Sequence, residues 1–91
     1  MNKNRFRELY NRIWRGDYNN IKFKDICDFV SYMGFSLVRQ NGTSHKIFKM
    51  RGIADIINLQ NDNGKAKIYQ VKQIHSIIQK YKLGDDENEC C

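Results

Sequence analysis

No proline occurs anywhere in the chain, so its turns must be read from glycine and asparagine. Internal repeats are absent, and no low-complexity segment precedes the last eight residues. Cysteine is nearly as scarce. Cys27 falls within a helical pattern, while Cys90 and Cys91 are adjacent at the end. Three such residues make no disulfide framework, and their spacing is not that of a metal site. No apolar run approaches the length of a membrane span, and the polar N-terminus has no signal-peptide core. A soluble, cytoplasmic protein is expected. Paired carboxylates of the kind glycosidases and two-metal enzymes use are missing, as is a glycine-rich phosphate loop. No cofactor and no metal is expected.

Negative charge is also in short supply. Sixteen Lys and Arg stand against ten Asp and Glu, for a net charge of +6 and a pI near 9.4. All sixteen basic residues lie within residues 1–83, whereas Gly84-Asp85-Asp86-Glu87-Asn88-Glu89-Cys90-Cys91 is acidic and reads as a disordered tail. The part that folds is therefore more basic than the total suggests, which favours a polyanionic partner, nucleic acid being the commonest. Ninety-one residues allow one domain with a modest core and no deep substrate cavity. Any activity should sit on an open surface and suit an extended substrate.

Apolar spacing divides the chain into helices and strands. Phe6, Leu9, Tyr10 and Ile13 recur at helical intervals and predict a helix over about 3–15, with Trp14 at the edge of its stripe. Ile26, Phe29, Val30 and Met33 predict a second from about Phe23, stopped by Gly34, with Cys27 as a small core residue. The period then switches to two. Residues 35–40, 44–50 and 53–60 read as strands joined at Asn41-Gly42 and Arg51-Gly52, and 61–64 as a polar loop. Val71, Ile74, Ile78 and Tyr81 line a last helix over about 69–82. The expected class is α+β: a three-stranded antiparallel sheet with helices on one face. Its core order α-β-β-β-α is that of double-stranded-RNA-binding domains, with an extra N-terminal helix, in a single domain over 1–83.

Asn41-Gly42 between two alternating segments is the strongest hairpin signal, because a two-residue type I′ turn needs positive φ at both positions. Such a loop pairs Gln40 with Thr43, Val38 with His45, Leu37 with Lys46 and Phe35 with Phe48. Phe35, Leu37, Phe48, Met50, Ile53, Ile57 and Leu59 then share the face the helices cover. His45 lies on the opposite face with Val38, Ile47, Lys49 and Ile56, in the company of Arg39 and Lys46. An imidazole there can exchange a proton beside a backbone phosphate. Ser44 is discounted as its partner, since adjacent strand residues point to opposite faces. His75, mid-helix and off the main stripe, reads as a surface or boundary histidine.

The helix ending in Gly34-Phe35, the segment Leu37-Val38-Arg39-Gln40, the turn Gly42-Thr43-Ser44-His45 and the following Ile47-Phe48 resemble the signature region of the HicA family. That family is the toxin half of HicAB toxin–antitoxin pairs. Residues 65–74 resemble its last helix and the approach to it, and the resemblance spans roughly 23–83. It implies a small ribonuclease that cleaves mRNA with a strand histidine, His45, and a HicB-type antitoxin that covers the site. Gly42 would shape the turn, and Arg39, Lys46 or Lys49 would stabilise charge on the phosphate of the RNA. Two other readings remain open on the residues alone. One is an RNA-binding module without catalysis, and the other an interaction domain whose charge meets an acidic partner protein.

Overall fold

The computed structural model describes residues 1–42 and 44–84. The acidic tail with Cys90 and Cys91, and the expected Gln40–Thr43 pair, lie outside the described residues. The first helix, α1, spans Lys3–Trp14. Asn2 caps it, its side-chain oxygen accepting the Arg5 N–H at 2.8 Å and satisfying one of the donors a helix start leaves free. The second, α2, spans Phe23–Met33 and ends on Gly34 in the left-handed conformation. Four strands follow: β1 over Ser36–Asn41, β2 over His45–Lys49, β3 over Ile57–Asp62 and β4 over Lys65–Ala66. The last helix, α3, spans Ile68–Tyr81.

The fold is α+β, with an antiparallel sheet ordered β1-β2-β3-β4 and three helices. Four strands rather than three result from the segment read as a polar loop. Asn63 and Gly64 both adopt positive φ, +53° and +86°, and Asp62 pairs directly with Lys65. That is the two-residue hairpin turn that right-handed strand twist favours. The strand it starts lasts two residues before Lys67 caps α3, and the linker before α2 pairs along its outer edge. The Ala66 N–H donates to the Ile21 carbonyl at 2.8 Å, and the Phe23 N–H to that of Gly64 at 2.9 Å. With no apolar residue between 60 and 65, alternation gave no sign of a strand there.

The third strand also starts later than expected. Arg51-Gly52 does turn the chain, with the Ile53 N–H on the Met50 carbonyl at 3.1 Å. Pairing with β2 nevertheless begins only at Ile57, opposite Phe48. Residues 53–56 cross between the strands without joining the ladder, and Ile56 is exposed there.

One core lies between the sheet and the helices. Phe35, Phe48, Ile57 and Leu59 are buried beneath α2 and α3, and Met50 and Ile53 pack partly against them. Leu37, expected in this set, is 47% exposed, because β1 is the sheet edge and extends beyond the cover of the helices. α1 forms a further layer on α2 and α3. Its Phe6 ring stacks on Phe29 at 4.8 Å, and Leu9 and Ile13 are fully buried. Among the described residues no helix is long and apolar enough to cross a membrane.

Candidate active site on the open face of the sheet

The β1–β2 register differs from the expected one, and the difference decides which side chains meet. Asn41 pairs with His45, Gln40 with Lys46 and Arg39 with Ile47; a bulge at Val38 then shifts the ladder to Leu37–Phe48 and Ser36–Lys49. The connection between the strands is therefore one residue longer than a two-residue turn, and Val38 does not face His45. Gly42 takes φ +65°, while Asn41 keeps a strand conformation. The Gln40 side-chain amide donates to the Gly42 carbonyl at 3.0 Å and steadies the turn.

Side chains alternate along β2, so buried Phe48 fixes the faces of its neighbours. His45, Ile47 and Lys49 lie on the face without helices. Pairing with Ile47 brings Arg39 to that face, and it is the Val38 bulge that turns it there. Lys46 goes the other way. It shares the covered face with Phe48, and its ammonium lies 5.8 Å from the ring centroid of Phe23 on α2. The structure thus brings Arg39 and Lys49 to the face of His45 and keeps Lys46 apart from them.

His45 is half-buried on this face, at the turn end of β2. Its cross-strand neighbours are Asn41 on β1 and Gln60 on β3, which reading the sequence missed because the register differs. Paired positions lie about 5 Å apart at Cβ, within reach of a common ligand. Gln60 is held from behind. Its backbone N–H donates at 2.9 Å to the side-chain oxygen of Gln70, a buried glutamine on α3. Gln70 supplies the acceptor that β4, ending at Ala66, is too short to offer.

His75 has a structural task. Its Nδ1 shares a hydrogen bond of 2.6 Å with the Tyr18 hydroxyl, and its ring lies 5.2 Å from that of Trp14, at the end of α1. Trp14 in turn stacks on Tyr10. The boundary position agrees with expectation, but a partner 57 residues away has no local signature. Cys27 is buried on the inner side of α2, and burial pushes its thiol up to about 11, against a smaller opposing pull from Lys46. A thiol so disposed is a packing group rather than a nucleophile. Among the described residues no three His, Cys, Asp or Glu side chains gather as metal ligands would.

Carboxylates are largely engaged away from the open face. Asp25 takes an ion pair from Arg5 at 2.8 Å, Asp17 from Arg12 at 3.1 Å and Asp55 from Lys80 at 3.1 Å, while Glu8 pairs with Arg5. The hydrogen bond from Arg12 holds the Asp17 carboxyl below the ordinary carboxylate range. Beside the open face, an open cleft of about 1020 Å³ lies between β4, the linker and the start of α3. Lys65, Lys67, Lys72 and Tyr69 line it, with Asp62 at its rim. Sequence reading assigned these residues no role; three lysines and a tyrosine over 65–72 were the available signal. No family model matches the chain, and neither does any curated protein or solved structure.

Proposed function

We propose that the chain is a HicA-type toxin, an endoribonuclease of double-stranded-RNA-binding-domain-like fold that cleaves mRNA in the cytoplasm without a metal. A HicB-type antitoxin would silence it by covering the open face. The observation that carries this reading is His45 on the helix-free side of the sheet, with Arg39 and Lys49 on the same side. In this mechanism the imidazole accepts the proton of a ribose 2′-OH as that oxygen attacks the adjacent phosphorus, or protonates the 5′-oxygen as its bond to phosphorus breaks. The products are a 2′,3′-cyclic phosphate and a free 5′-hydroxyl. Arg39 and Lys49 offset charge on the phosphate; Lys46 lies on the other face and takes no part. One positioned acid–base group supplies about 10²–10⁴-fold in rate. His45→Ala should therefore lose RNA cleavage by about that factor and relieve growth arrest, while keeping the parent's circular dichroism. A folded variant that cuts RNA as fast as the parent overturns the assignment.

One observation favours a second reading, an RNA-binding module without catalysis. The cross-strand neighbours of His45 are amides, which neither take up nor release protons in the neutral range. Steeply salt-dependent binding with RNA left intact would select this alternative.

A further inference from the structure

We propose that the cleft between β4 and the start of α3 is a subsite for single-stranded RNA. Lys65, Lys67 and Lys72 hold its phosphates there, and Tyr69 stacks on an unpaired base. The inference rests on the RNA reading of the His45 face and names the path the strand takes away from it.

Three observations carry it. The first is an excess of positive charge. Residues 1–84 contain sixteen Lys and Arg but only six Asp and Glu, and four of those six are paired on α1, α2, α3 and the loops beside them. Of the other two, Asp62 lines the cleft as the cross-strand neighbour of Lys65, but among the described residues no ion pair joins it to Lys65, Lys67 or Lys72, so three positive charges there face one negative. Lys65 instead donates to the Asn20 side-chain oxygen at 2.9 Å, which aims it without neutralising it. The second is Tyr69, 62% exposed within this basic cleft. The Lys67 ammonium lies 5.9 Å from its ring centroid. A cation on one side of an open ring leaves the other for a base, and base–aromatic stacking in a positively charged groove is how single strands are held irrespective of sequence. Bases inside a duplex are stacked on their neighbours and present no free ring face, so the tyrosine selects a single strand over a duplex.

The third is continuity with His45. Gln60 is the cross-strand neighbour of His45, and Asp62, two residues further along β3, shares its face. Lys65 is paired with Asp62 and thus stands on the same open side. Strands lie about 4.8 Å apart, so the two-strand step from His45 to β4 is about 10 Å before the lysine side chain reaches out. A strand with its reactive phosphate at His45 crosses β3 and enters the cleft directly.

The test is fluorescence anisotropy with labelled single-stranded oligouridylate and a labelled RNA duplex. The full chain is used in a His45→Ala background so that no RNA is cut. Tyr69→Ala should weaken single-strand binding about fivefold or more, the lower bound for removing one stacked base, and leave duplex binding unchanged. Replacing Lys65, Lys67 and Lys72 together by Gln should reduce the slope of log affinity against log salt by about 2, at about 0.7 for each phosphate no longer neutralised. Unchanged single-strand affinity in either variant overturns the proposal. So does a triple variant that loses binding to poly-glutamate while keeping RNA, because the cleft would then suit an acidic protein segment. The two readings fail separately. RNA held in the cleft but never cut by the parent sinks the nuclease and spares the subsite, whereas cleavage with cleft variants binding normally does the reverse.

Discussion

Two Asn-Gly dipeptides stand at the same end of the sheet, and the chain treats them differently. At Asn63-Gly64 both residues take positive φ and the flanking Asp62 and Lys65 pair, giving a two-residue turn. At Asn41-Gly42 only the glycine does so, and Asn41 remains in β1 opposite His45. The dipeptide is the same at both, but its surroundings differ: the Asn61 side-chain oxygen accepts the Gly64 N–H in one, the Gln40 side chain donates to the Gly42 carbonyl in the other, and the two hairpins bury different amounts of apolar surface. The β3–β4 hairpin is pinned by Ile57, Leu59 and Ala66 beneath the helices and by two backbone bonds to the linker before α2. Every residue of β1 is exposed, so nothing on that strand opposes a slip in register. A turn dipeptide sets register only where burial agrees with it.

The strongest way to break this contrast is to compare Phe48 with its partner Leu37. Phe48→Ala removes a buried ring and should cost about 3–5 kcal/mol, whereas Leu37→Ala should stay within about 0.5 kcal/mol, both read by urea denaturation. Equal losses would mean that β1 is anchored after all. Next comes Gln70→Leu, which strands the part-buried N–H of Gln60. A cost of about 1–3 kcal/mol is expected, with faster hydrogen exchange at the Gln60 amide than at the β1 amides. The finest discrimination lies between the asparagines themselves. Asn63→Ala should destabilise by about 1 kcal/mol, since alanine resists the left-handed region, and lower Tm by about 4–8 °C. Asn41→Ala in its strand conformation should leave Tm unchanged. If both melt alike, the two turns are alike.

The same distinction explains what the sequence made legible. The three helices, their buried stripes and the covered face of β2 and β3 follow from apolar periodicity, because burial enforces it. Gly34 stops α2 as expected, and Cys27 lies in the core. Four features escaped: the bulge at Val38, the brief β4, the late start of β3 and the buried amide of Gln70. Each depends on a partner distant in the chain or on backbone hydrogen bonds that leave no apolar signature. His45 reaches the open face in both the expected and the observed register, since the parity of β2 is set by Phe48. Arg39 gets there only through the bulge, and the amide neighbours Asn41 and Gln60 only through the actual pairing.

The bulge has a consequence for how copies of this molecule behave in concentrated solution. β1 closes one side of the sheet, and its outer N–H and C=O groups form the kind of row on which a foreign strand can nucleate an aggregate. At Val38 that row is broken and twisted, and the permanently charged guanidinium of the next residue, Arg39, completes the interruption. A second molecule offering its own β1 would meet a mismatched ladder and a like charge. One extra residue thus makes this edge a poor template for a second strand as well as aiming the arginine.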